Sequence, residues 1–294
     1  MRVTNMYMVE LAQAASAKNQ SNVAQLSQEV SSGLAVAKPS DNPTAWLEAQ
    51  RAKVEQTIND GTGAALQTGL VKIDATDGAL SSLAQIVSQA QTIAVEGASA
   101  SITSDARADA AQQVNGLLQA ALAAANTQDV DGNYLLSGTA VNTVPFESSG
   151  NYQGNAATTS INSSSTATTQ DSLSGSALDT GPGSVNIIAT LGNLATALGG
   201  NDVPGIQAQL ANLNTAVTQL ATTRAQVGGM MSTLQSAQSA QQTLSTTLQT
   251  SISNLTNADA VQSASQLAQA STALQISQAV TTRVLSLLQP DATS

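Results

Sequence analysis

Cysteine and histidine are both missing from the 294 residues. Without Cys there is no disulfide and no thiolate ligand for a metal. Without His the chain loses the commonest general base and metal ligand near neutral pH, and a Ser-His-Asp triad is excluded. Carboxylate-only chemistry would need two acids converging in a cleft, and the sequence shows no such clustering. No cofactor is expected. Aromatic residues are also scarce, at 2%, with one Phe, one Trp and three Tyr. Aromatic rings usually supply much of a compact core, so burial must come from Leu, Val, Ile and Ala spread over long helical contacts. Charged residues make up 10%, against the usual quarter, which leaves a surface of Gln, Ser, Thr and Asn. Nine Lys and Arg face nineteen Asp and Glu, for a net charge of −10. These scattered cations cannot neutralise a phosphate backbone, so nucleic acid is not an expected partner. No 18-residue apolar run exists, so membrane insertion is not expected. The first residues, "MRVTNMYMVELAQAA", lack the apolar centre of a cleaved signal peptide. Export, if it occurs, is expected by a route that cleaves no signal.

What is present is helical periodicity. A first helix is predicted over 2–32, with Val23, Leu26 and Val30 at 3/4 spacing and Gly33 at its C-cap. A second covers 44–98, opened by Pro43 with Asp41 or Asn42 as cap. In it Leu66, Ile73, Leu80, Val87 and Ala94 recur every seven residues, a coiled-coil-like seam that Asp77 weakens locally. A third runs over 104–129 with Ser104 as its cap. From about 132 to 186 the chain turns to Gly, Ser, Thr and Asn, with short β-prone pieces. Its Ser/Thr run at 158–169 reads as solvated and partly disordered. A short helix is predicted at 187–199. Then Ile206, Leu213, Leu220, Val227, Leu234, Leu248 and Leu255 keep seven-residue spacing, with Gln241 as the polar slot. Gly228-Gly229 is a candidate kink. After a break at 254–260, a last helix carries Leu267, Leu274, Val280, Val284 and Leu288.

The fold class is therefore mainly α: a rod of long antiparallel helices, with both termini at one end and a small β-containing insert at the other. The expected division is 1–43 with 259–294 as a terminal helical domain, 44–133 with 187–258 as the rod, and 134–186 as a variable outer domain. The terminal stripes are too thin to hold isolated helices. The terminal helices are expected to be disordered in the isolated monomer and to order against other subunits. "DVDGN" at 129–133 resembles a calcium loop, but the required Glu at the twelfth position falls on Gly138, so a turn is expected. Arg224 lies on the apolar side of its helix, where it would snorkel or pair with a carboxylate.

The stretch "SSGLAVAKPSDNPTAW", Ser31 to Trp46, holds a Gly, two Pro and the single Trp. It resembles the turn after the N-terminal helix in the bacterial flagellin and hook-associated superfamily. "KPSDNP", with Pro39, Asp41 and Pro43, is similar to the Lys-Pro-Ser-Asp-Asp-Pro run of its hook–filament junction members, with Asn42 in place of the second Asp. "DGNYLLSGT" at 131–139 followed by Pro145-Phe146, "RAQVGGMMSTL" at 224–234 and "RVLSLL" at 283–288 are similar to other segments of that superfamily. The resemblance covers both ends and most of the rod, but not 147–186. It implies a structural, non-enzymatic subunit of the bacterial flagellum, extracellular and exported by the flagellar type III system. Implied partners are other copies in a ring, the first hook-associated protein, flagellin and a cytoplasmic export chaperone. The implied assembly residues are Val23, Leu26, Val30, Gly33, Pro39, Asp41, Pro43, Leu267, Leu274, Val280, Val284 and Leu288. Filament flagellin is the nearest alternative. An extracellular adhesin or injected effector would call for a cleaved signal or a separate binding domain, and neither is visible.

Overall fold

The computed structural model describes residues 2–164, 167–179 and 183–288. Among these are six α-helices: α1 (Arg2–Ser32), α2 (Pro43–Gly97), α3 (Ser104–Ala125), α4 (Ile187–Gly199), α5 (Val203–Thr256) and α6 (Ala260–Leu288). Two three-residue strands, β1 (Ser160–Asn162) and β2 (Thr168–Gln170), pair antiparallel with Ile161 opposite Thr169. The chain is mainly α, as its periodicity predicts. It divides into two compact units, 1–58 with 244–294 and 59–243. These boundaries fall inside α2 and α5, whereas the expected divisions lie at the helix ends; the three-part division is taken up under Proposed function.

The core of unit 2 is built on the two seven-residue rows. Leu66, Ile73, Leu80, Val87 and Ala94 of α2 are completely buried, as are Ile206, Leu213, Leu220, Val227 and Leu234 of α5. The helices run antiparallel: the Asn59 side chain donates to the Gln241 carbonyl, Gln238 to Gln67, and Gln91 to Asn214. A 3.5-residue repeat keeps such rows facing each other along the whole contact. The two polar intrusions meet. Arg224 Nε donates to Asp77 Oδ1 at 2.9 Å and its NH2 group to Asp77 Oδ2 at 3.0 Å. This bidentate hydrogen bonding from Arg224 is the main force lowering the Asp77 pKa.

Helices α3 and α4 pack on each other and on this core. Thr103, not the expected Ser104, caps α3: its side chain accepts from the Ala106 N–H. The helix ends at Ala125, short of the predicted 129, because the Asn126 side chain is drawn into a reciprocal pair with the Phe146 backbone. Arg107 is buried without a carboxylate. It donates instead to the Gly97 and Ser99 carbonyls and to Asn201 Oδ1. The first two acceptors lie at the C-terminal end of α2, where helix carbonyls carry partial negative charge.

The 134–179 segment is mostly loop, held by polar contacts. The Tyr152 hydroxyl meets the Leu136 and Asn155 carbonyls and Ser174, and its ring packs 5.2 Å from Phe146. Ile161 and Asp171 lie against α2 at Gly69, where a Cβ would fall 2.8 Å from Ile161. Asp171 pairs there with Lys72 at 3.9 Å. Within the Ser/Thr run, Ser165 and Thr166 lie outside the described residues. The "DVDGN" segment is a turn: Asp129 Oδ1 accepts from the Asp131 and Asn133 N–H groups. Burial works against the Asp129 charge, but the Asn133 and Asp131 donors and Lys72 outweigh it and lower its pKa. The described residues contain no cluster of three potential metal ligands.

Unit 1 has a different construction. Its α1 and α6 form an antiparallel pair: Asn19 donates to the Ala273 carbonyl, Thr281 to the Ala12 carbonyl, and Ser263 to Glu29 Oε1. Each terminal helix, expected to be disordered in the isolated monomer, is paired here with the other inside the same chain. Among the described residues no helix is long and apolar enough to cross a membrane.

Candidate assembly interface

The stretch that breaks the first helix is a knot of caps. Gly33 leaves α1 at φ +71°, a left-handed conformation that glycine adopts without strain. The next residues are then sewn to the break between α5 and α6. The Ala35 and Val36 N–H groups both donate to the Thr256 carbonyl, and the Ala258 N–H donates to the Gly33 carbonyl. Asp41 folds back, its Oδ2 accepting from the Ala37 and Lys38 N–H groups at 3.1 Å each. Asn42 caps α2 by accepting from the Ala45 N–H, and Pro43 is the first helical residue. Asp41 and Asn42 therefore divide two tasks. On the other strand of the knot, Asp259 caps α6 through the Val261 and Gln262 N–H groups.

The α1–α6 seam is narrow. On α1 the partly buried positions among the described side chains are Val9, Ala12, Ser16, Asn19, Val23, Leu26 and Glu29, in steps of three and four. On α6, Leu267, Ala270, Leu274, Ser277, Thr281 and Val284 do the same, beginning at the buried Ser263. Of the expected assembly residues, Val23, Leu26, Leu267, Leu274 and Val284 are brought into this seam. Val30 sits at its edge and Val280 lies off it, both exposed. Gly33, Pro39 and Pro43 are exposed in the connector, and Asp41 is partly buried. Leu288 ends α6, and its side chain lies outside the described residues. Sequence reasoning missed Asn19, Ser263, Ser277 and Thr281. The signal was there in the seven-residue spacing of Ser263, Ala270, Ser277 and Val284, hidden because a hydrophobicity search skips small polar residues. Such residues let two helices approach closely and hydrogen-bond across the contact.

Nothing in this arrangement is a nucleophile beside a base, or a cleft with paired acids. It presents two capped helix ends and a set of large apolar side chains left outside. Met6, Tyr7, Leu11, Ile276 and Val280 are all more than a third exposed.

Residues 3–141 match the bacterial flagellin N-terminal helical region. That segment holds α1, the capped connector, α2 and α3. The N-terminal part of the chain is therefore similar to that region of bacterial flagellins. Flagellar hook-associated protein 3 of Escherichia coli strain K12 is 31% identical over 130 residues, 44% of this chain and 41% of that protein. The protein of the same name from Salmonella typhimurium is 26% identical over 155 residues, 52% of this chain and 49% of that protein. The matches thus span less than half the length of these curated relatives. The solved structure of flagellar hook-associated protein 3 from Legionella pneumophila has the same fold. It superposes with a TM-score of 0.61 at 12% identity, over 70% of this chain and 98% of that one.

Proposed function

We propose that the chain is a structural subunit of the bacterial flagellum, placed between hook and filament as a hook-associated junction protein. The observations that support this reading are the N-terminal match, which includes the capped connector, and the similarity to relatives named flagellar hook-associated protein 3. The role is mechanical and assigns no catalytic residue. The three-part division fits it: terminal helices (1–43 and 259–294) for assembly, a helical rod (44–133 and 187–258), and a variable outer part (134–186). In this reading the connector marks where the chain leaves the assembly layer, at a place set by Gly33, Pro39 and Pro43. Its neighbours would be other copies in a ring, the first hook-associated protein on one side and flagellin on the other. Export would proceed unfolded through the flagellar type III route, with a cytoplasmic chaperone holding the last helix. The family match also includes flagellin, so the filament subunit is the second reading.

Electron microscopy of a strain lacking the gene, with an immunoblot of its medium for flagellin, separates these readings. Hooks without filaments and intact flagellin in the medium are expected. Hooks without filaments and no flagellin anywhere would make the chain the filament subunit. Normal filaments would overturn both.

A further inference from the structure

Both seven-residue rows of unit 2 turn polar at the same level. Asn59 stands one repeat before Leu66 in α2, and Gln241 one repeat after Leu234 in α5, yet they are only 6% and 9% exposed. The Asn59 side chain donates to the Gln241 carbonyl at 3.1 Å. The Gln241 side chain donates outward, to the Ser163 carbonyl at 2.7 Å. Ser163 begins the turn of the β1–β2 hairpin, where its N–H donates to the Ala167 carbonyl. The polar slot of the α5 row therefore holds the hairpin's turn.

The hairpin is held at two more points. Ile161 fills the space left by Gly69, where a Cβ would fall 2.8 Å from Ile161 Cδ1 and 3.3 Å from Asp171 Cβ. Lys72 Nζ donates to Thr159 Oγ1 at 3.2 Å and pairs with Asp171 at 3.9 Å. Two three-residue strands are too little to hold a hairpin without such docking. The hold is also incomplete. Among the described residues, the buried side-chain oxygens that meet no hydrogen-bond donor are Asn59 Oδ1 and Asp171 Oδ1. One lies in the polar layer and the other at the hairpin's base. A buried acceptor without a donor has lost its water with no return, so lifting the hairpin recovers hydration at both. Helix α2 is soft beside the layer. An added Cβ at Gly61 or Gly63 would meet nothing within 4 Å. No close approach therefore explains these glycines, and glycine inside a helix weakens it.

We propose that the β1–β2 hairpin is a strap that docks on and lifts from the α2–α5 seam, and that the Asn59–Gln241 layer responds to its state. Docked, the strap shields the layer and gives Gln241 its acceptor. Lifted, it lets water reach Asn59 and Gln241, and the α2 turn from Asn59 to Gly63 loosens. Whatever engages the outer segment is thereby felt inside the helix pair. By reciprocity, a change in the layer seats or frees the strap. The inference goes beyond the flagellar reading and does not depend on it.

Amide exchange in the full chain tests it. The Ser163 and Asp171 N–H groups donate to the Ala167 and Thr159 carbonyls. In the wild type they should exchange roughly tenfold faster than Ile73–Ala94. Gly69→Leu fills the space that Ile161 occupies. Leucine is the better helix former, so on helix propensity alone this change slows exchange in α2. Acting through the strap it should do the opposite, with exchange roughly tenfold faster at Ser163 and Asp171 and about fivefold faster at 59–65. Gly78→Leu makes the same change where α2 faces open space, and it should speed neither. In the reverse direction, Gln241→Leu removes the donor to Ser163 while completing the apolar row. It should free Ser163 and Asp171 roughly tenfold and leave Ile73–Ala94 unchanged. Circular dichroism checks that the variants fold, and Gly69→Ala and Gln241→Met carry the test if the leucines lose helicity. Four outcomes overturn the inference: hairpin protection equal to that of Ile73–Ala94, unchanged exchange at 59–65 in Gly69→Leu, an equal rise in Gly78→Leu, or a hairpin still seated in Gln241→Leu.

Discussion

The two units pack their helices in opposite ways. In unit 2 the rows of α2 and α5 bring Leu, Ile and Val into full burial, and its surface carries nearly all the net charge. In unit 1 the α1–α6 seam is single, half-buried and dotted with Ser, Asn and Thr, while large apolar residues remain outside. One unit is stable through its own interior and repelled by its own kind. The other holds little in reserve and has surface to share. In a helical chain this difference is set by which residue falls at every seventh position, more than by overall composition.

The comparison breaks first in the cores. Leu80→Ala, at a fully buried position, should cost about 3 kcal/mol in denaturant unfolding of unit 2, whereas Leu26→Ala in the half-buried seam should cost roughly 1 kcal/mol. Equal costs would mean the seam is a true core. Two glycines with the same backbone angle give a second contrast. Gly138 (φ +72°) has no room, since a Cβ would strike the Asn155 carbonyl and lie 2.7 Å from that of Ala157; Gly33 (φ +71°) has nothing within 4 Å. Gly138→Ala should cost about 3 kcal/mol and Gly33→Ala about 1 kcal/mol, the second being backbone strain alone. Thermal unfolding of both variants measures the gap.

Amide exchange in the monomer should then find residues 6–30 and 262–284 losing protection roughly a hundredfold faster than Leu66–Ala94. Comparable protection would show that the terminal pair needs no neighbour. The smallest effect is at Asp77. Its pKa in the folded chain is lowered, chiefly by the hydrogen bonds from Arg224. The stability it contributes is therefore complete above the unfolded value of about 3.9 and fades as pH falls through the lower folded pKa. Asp77→Asn should remove that acid sensitivity while changing stability at pH 7 by less than about 1 kcal/mol, because the pair is partly solvated. Melting curves of both proteins between pH 7 and 2 decide it.

Much of this fold is legible before any coordinates. The rows from Leu66 to Ala94 and Ile206 to Leu234 announce their own burial, and α4 lies at its predicted limits. Asp77 and Arg224 are each visible as misfits, but their pairing across 147 residues is not, because nothing local links them. The cap of α3 shifts by one residue because Thr103 and Ser104 offer the same hydroxyl, and only the backbone angle chooses between them. The irregular segment is the least legible part. It is held by Tyr152, Asn155 and Ser174 meeting carbonyls, and a polar residue's partner leaves no periodic trace. In the assembly region, the connector can be read from its Pro and Gly. The register of α1 on α6 cannot, since Val280 looks like a seam residue while Ser277 and Thr281 occupy the seam.

The hydrogen bond from Asn19 to the Ala273 carbonyl joins residues 254 apart. Closing so long a loop carries an entropic cost, and contacts of this separation form slowly. Unit 2 is one continuous stretch, 59–243, whereas unit 1 is made from both ends of the chain. A chain emerging from its N-terminus can thus complete unit 2 while α1 still waits for α6. During that interval the seam residues of α1 are open to any other helix of suitable spacing, and the order of emergence sets how long the interval lasts.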